Sequence, residues 1–66
     1  MNEFVSNRVQ QFRAEANITQ EGLADNVGVS RQTIIAIERG RYTPSVLLAL
    51  KLARFFKVPV EKVFYI

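Results

Sequence analysis

The chain has 66 residues, no cysteine, no histidine and a formal net charge of +3. That length bounds one domain, residues 1–66, near the lower limit for a self-supporting core. Without thiols or imidazoles, disulfides and Cys- or His-based metal centres are excluded, and acid–base or nucleophilic catalysis loses its usual groups. The sequence also has no glycine-rich phosphate loop, so neither enzyme activity nor a cofactor is expected. The longest apolar run, Val46 through Leu47-Leu48-Ala49-Leu50, stops at Lys51 and is too short for a membrane span or a signal-peptide core. A soluble, cytoplasmic chain with no small-molecule site and no separate sensing domain is expected. Its basic balance points to a polyanionic partner.

Met1 to Val5 is short, partly apolar and lacks a helical stripe of its own. Ser6 or Asn7 is placed to cap a first helix running to about Ala16, with Val9, Phe12 and Ala16 facing inward. Asn17-Ile18 connects, and Thr19 caps a second helix. Gln20 and Glu21 open that helix, where free amides and the helix dipole favour a phosphate. Gln20 is thus a candidate backbone contact, set against mere solvation of the helix end. Leu23, Ala24 and Val27 form one apolar stripe, and Gly28 can end the helix at positive φ. Gly22 lies in the first turn, where glycine costs about 0.5–1 kcal/mol relative to alanine; nothing in the sequence accounts for it.

Ser30 supplies the N-cap of a third helix whose inward positions are Ile34 and Ile37, and Gly40 closes it. At roughly 100° per residue, Gln32, Ala36 and Arg39 then point away from the core, Arg31 projects from the first turn and Ile35 flanks the exposed face. Two short helices joined by a glycine turn at Val27-Gly28-Val29, over about residues 20–39, have the geometry of a DNA-binding helix-turn-helix. Arg and Gln pair with guanine and adenine edges, small apolar groups meet the thymine methyl, and recognition helices read with their N-terminal residues. The candidate base readers are therefore Arg31, Gln32, Ile35 and Ala36; an ordinary solvated helix face is the competing reading. Ser30, Thr33 and Arg39 are candidate phosphate contacts. Glu38 lies near the inward edge, within reach of Arg13 on the first helix, and the two are expected to pair.

Arg41-Tyr42-Thr43-Pro44 leaves the third helix. A loop departing a groove passes the sugar-phosphate backbone, so Arg41, Tyr42 and Thr43 are candidate phosphate contacts, with core packing an equal alternative for Tyr42. Arg31, Arg39 and Arg41 cluster here, whereas Lys51, Arg54, Lys57 and Lys62 fall on solvated faces. Pro44 disfavours helix at Thr43, and Ser45 caps a fourth helix over Val46 to Phe56. Its expected core stripe is Val46, Ala49, Leu50, Ala53 and Phe56. A second stripe, Leu48, Leu52 and Phe55, needs separate cover, as a helix hydrophobic nearly all round must be buried nearly all round. Val60 to Val63 can form a last short helix before Phe64-Tyr65-Ile66. Cover by Met1–Val5, by a second copy, or by both is possible. A two-fold homodimer burying Leu48, Leu52, Phe55, Phe64, Tyr65 and Ile66 is favoured.

These residues resemble the Cro/repressor-type, or Xre, helix-turn-helix family. The matching pattern is Arg13, Thr19-Gln20, Leu23-Ala24, Val27-Gly28-Val29-Ser30-Arg31-Gln32-Thr33-Ile34, Ile37-Glu38-Arg39-Gly40, Pro44-Ser45 and Leu50 through Ala53-Arg54-Phe55-Phe56. It spans about Asn7 to Phe64 and is most similar to short, single-domain repressors of the cytolysin-repressor type. The resemblance implies an all-α, five-helix lambda-repressor-like domain, with a small strand pair joining the segment after Phe64 to Met1–Val5. It further implies a homodimer on a double-stranded DNA operator, Gln20 and the Arg39–Arg41 stretch at phosphates, Arg31 and Gln32 at bases, and the Arg13–Glu38 pair. Gly22, Ala36 and Pro59 depart from the family pattern; Ala36 leaves fewer polar base contacts. The alternative is a protein-interaction module, of antitoxin or co-activator type, presenting Leu48, Leu52, Phe55 and Tyr65.

Overall fold

Short polar residues set most of the helix boundaries. The computed structural model describes residues 3–66. Among them the order is β1 (Ser6–Asn7), α1 (Val9–Glu15), α2 (Gln20–Val27), α3 (Arg31–Glu38), α4 (Val46–Phe56), α5 (Val60–Val63) and β2 (Phe64–Tyr65). The side chains of Thr19, Ser30 and Ser45 accept from the amides of Gly22, Thr33 and Leu48 and start α2, α3 and α4. Left-handed residues follow four helices: Asn17 (φ 55°) after α1, Gly28 (φ 77°) after α2, Gly40 (φ 73°) after α3 and Lys57 (φ 61°) after α4.

The start of α1 differs from expectation. Ser6 and Asn7 form a strand, paired antiparallel with β2 in the register Ser6 to Tyr65 and Asn7 to Phe64. Arg8 is the N-cap, with no side-chain cap bond. Asn7 still serves the helix, since its Oδ1 accepts from the Val9 amide at 3.1 Å. The strand expected within Met1–Val5 is therefore displaced to Ser6–Asn7; Met1 and Asn2 lie outside the described residues. The Arg8 amide donates to the Val63 carbonyl at 2.8 Å, its guanidinium donates to the Lys62 carbonyl at 3.2 Å, and its Cζ stands 4.0 Å from the centre of the Tyr65 ring. These contacts staple the two ends together. At the far end of α1, Ala16 is exposed rather than inward because the chain leaves the helix through Asn17 at φ 55°.

The core comprises Val9, Leu23, Ala24, Val27, Ile34, Ile37, Leu48, Leu52, Ala53 and Val63. Phe12 and Phe56 stack beside it with centroids 5.4 Å apart. The expected facing of α4 holds for Ala53 and Phe56 and fails for Val46 and Leu50. Leu48 and Leu52 belong to the core at 7% and 0% exposure, while Val46 and Leu50 stand in solvent at 77% and 51%. Phe55 and Phe64 are half-buried against the same core. Both stripes are apolar, so the positions of α2 and α5, which pack on α4, decide which one turns inward. Leu48 and Leu52 therefore cannot serve a dimer interface. Of the six residues expected there, only Tyr65 and Ile66 are exposed, at 39% and 83%.

Gly22 gains a physical reason. A Cβ built on it would lie 3.0 Å from Ile18 Cγ1 and 3.2 Å from Thr19 Oγ1, so a side chain there would have to press Ile18 and the capping Thr19 aside.

Candidate nucleic-acid interface

Helices α2 and α3 meet through the turn at Gly28, Val29 and Ser30. The αL backbone of Gly28 lets the Val29 amide reach the Ala24 carbonyl at 3.0 Å, and the chain reverses without breaking the apolar stripe. Ile34 and Ile37 are then fully buried against α2. Helical geometry leaves the opposite face to solvent.

That face carries Arg31 and Gln32, both exposed, at the N-terminal turn of α3, with Ile35 and Ala36 half-buried beside them. Ser30 Oγ and Thr33 Oγ1 lie 3.0 Å apart; the Ser30 hydroxyl is spent in part on its cap, and both oxygens sit on the exterior. At the C-terminal end Arg39, Arg41, Tyr42 and Thr43 are exposed. Tyr42, at 44% exposure, is a surface residue rather than a core one. The Arg41 amide closes α3 onto the Ala36 carbonyl at 2.8 Å, so the arginine cluster departs from a fixed turn.

Beneath this face lies a polar clamp. Arg13 Nε donates to Glu38 Oε2 at 2.7 Å and its Nη2 to Oε1 at 3.3 Å, a bidentate pair with side-chain exposures of 18% and 4%. Arg13 Nη1 also donates to the Ile18 carbonyl at 3.1 Å. Gln20 Nε2 donates to Glu38 Oε1 at 3.0 Å. Gln20 is thus a third member of the clamp, a tie missed in the sequence, where its place at the start of α2 suggested only a phosphate contact or solvation of the helix end. One of its amide hydrogens is committed to Glu38. Arg13, Thr19, Gln20, Glu21 and Arg31 together line an open depression at the start of α2. Asn7, also missed, donates from Nδ2 to the Ile37 carbonyl at 2.9 Å.

Among the described residues no buried side-chain nitrogen or oxygen lacks a partner, and no cluster of three or more acidic side chains assembles where a metal could bind. No helix among them is long and apolar enough to cross a membrane.

The helix-turn-helix family matches residues 9–63. The chain belongs to that family, in its Xre, or Cro/C1, branch. An HTH-type transcriptional regulator of Methanocaldococcus jannaschii is 55% identical over 60 residues, covering 91% of each chain. Two solved helix-turn-helix structures superpose closely. One is the restriction-modification controller protein C.AhdI of Aeromonas hydrophila, with TM-score 0.78 and 29% identity over 83% of each chain. The other is the P22 c2 repressor in complex with a synthetic operator, with TM-score 0.79 and 28% identity over 82% of each chain. The five helices and terminal strand pair seen among the described residues thus have the lambda-repressor-like architecture of these helix-turn-helix proteins.

Proposed function

We propose that this chain is a sequence-specific, double-stranded DNA-binding transcriptional regulator, acting as a homodimeric repressor on a pseudo-palindromic operator. One observation carries the reading: α3 buries Ile34 and Ile37 completely while Arg31 and Gln32 stand exposed on its first turn. An α-helix with that facing enters the major groove N-terminus first, where arginine reads guanine and glutamine reads adenine. Ile35 and Ala36 add apolar contact with thymine methyls. Ser30, Thr33, Arg39, Arg41, Tyr42, Thr43 and the free amide hydrogen of Gln20 bind phosphates, fixing register and supplying the salt-dependent part of the affinity. The operator complex of the P22 c2 repressor, of similar fold, supports this docking.

Homodimer formation uses the apolar surface left outside the core. Val46 and Leu47 are 77% and 65% exposed at the start of α4, Leu50 follows one turn on, and Tyr65 and Ile66 are exposed at the C-terminus. The competing protein-interaction reading loses two of its four residues, since Leu48 and Leu52 are buried. Selection of bound sequences from a random duplex pool, followed by footprinting, tests the proposal. A dyad site is expected, with half-sites about 10–10.5 base pairs apart from centre to centre. Failure to enrich any sequence would overturn it.

A further inference from the structure

Recognition helices need a defined tilt, and the C-terminal end of α3 is held at two adjacent residues by different means. Glu38 is gripped through its side chain by Arg13 and Gln20. Ile37 is gripped through its backbone: its carbonyl accepts from the Gly40 amide at 3.0 Å and from Asn7 Nδ2 at 2.9 Å. The same Asn7 accepts through Oδ1 from the Val9 amide at 3.1 Å, and its backbone sits in β1 opposite Phe64. A single half-buried amide thus joins the terminal strand pair, the start of α1 and the last turn of α3.

We propose that Asn7 is a positioning residue for DNA recognition, setting the tilt of α3 through the Ile37 carbonyl. The inference rests on α3 being the DNA-reading helix. Arg31 lies six residues from Ile37, about 9 Å along the axis, so a tilt of about 10° at the held end displaces the reading end by about 1.5 Å. That exceeds the tolerance of a hydrogen bond to a base edge, whose working range is roughly 0.5 Å. Phosphate attraction, being long-ranged and undirected, tolerates the same displacement. The signature of Asn7 is therefore lost discrimination rather than lost binding.

Asn7→Asp separates the two halves of the bridge. It keeps an acceptor for the Val9 amide but sets a carboxylate oxygen against the Ile37 carbonyl; Asn7→Ala removes both contacts. Affinities for the selected operator and for random duplex are measured well below each variant's unfolding midpoint. Amide chemical shifts of the DNA-free proteins are recorded in parallel. Both variants are expected to lower the operator-to-random affinity ratio by about three- to tenfold, the equivalent of one net hydrogen bond. In both, the amide resonances of Gly40 and Arg41 should move without DNA present. An unchanged ratio in Asn7→Asp, or equal weakening on both DNAs, would overturn the positioning role while leaving the DNA-reading assignment of α3 intact. Wild-type protein that fails to distinguish the operator would instead overturn that assignment, and the inference with it.

Discussion

At Glu38 a carboxylate with only 4% of its side chain exposed receives donors from Arg13 and Gln20. Burial of an ion is tolerated there because all partners are present; removing one leaves an uncompensated charge. Arg13→Ala and Glu38→Ala are each expected to cost about 3 kcal/mol in chemical denaturation, short of the fully buried limit because Arg13 keeps some solvent. A double-mutant cycle between them should show a coupling of at least about 1 kcal/mol, and zero coupling would mean that the pair holds nothing. Gly22 presents the opposite balance. Alanine in a helix normally gains up to about 1 kcal/mol over glycine, but here its Cβ would press on Ile18 Cγ1 at 3.0 Å. Gly22→Ala should therefore lower the thermal midpoint, and a rise would refute the steric account.

At the scale of elements, α4 is the informative helix. Leu52→Ala empties a fully buried site and should cost about 2–5 kcal/mol. Lys57 closes α4 in the left-handed region at φ 61°, where glycine escapes the Cβ penalty. Lys57→Gly should raise stability by about 0.5–1 kcal/mol, and a loss would contradict the strain. The helix-turn-helix was legible because its signals are local. Thr19, Gly28, Ser30 and Gly40 each mark a boundary by their own chemistry, and Ile34 with Ile37 declares one face. The facing of α4 was not legible in the same way. With leucines on both stripes, periodicity cannot choose between Leu48-Leu52 and Val46-Leu50; the neighbouring helices choose. The strand pair followed from the family resemblance, but its N-terminal strand lies at Ser6–Asn7 rather than within Met1–Val5, since Ser6 and Asn7 read locally as caps and only the distant Phe64-Tyr65 makes them a strand. Gln20 and Asn7 were likewise not legible as ties to α3, because a neutral amide next to a helix start reads as a cap or an end contact, whereas Arg13 and Glu38 advertise each other by opposite charge.

For the whole molecule, 66 residues carrying a charge of +3 combine a small core with a basic balance, and the proposed dimer on DNA makes a prediction from each. The exposed apolar residues of α4 give the size prediction: the protein should sediment as a dimer at micromolar concentration, and Leu50→Glu should give a monomer of unchanged helix content. A monomeric wild type would contradict the homodimer. The arginine cluster gives the salt prediction. Arg41→Ala should weaken operator and random DNA alike and shallow the log–log salt slope by about 1; an unchanged slope would remove Arg41 from the phosphate contacts. The outward facing of α3 underlies all of this, and binding of Arg31→Ala and Gln32→Ala to the selected operator and to random duplex tests it most directly. Each variant should lose about 1–3 kcal/mol on the operator, relax preference at one base pair and change little on random DNA. Equal weakening on both, or none on either, would contradict a recognition role for α3.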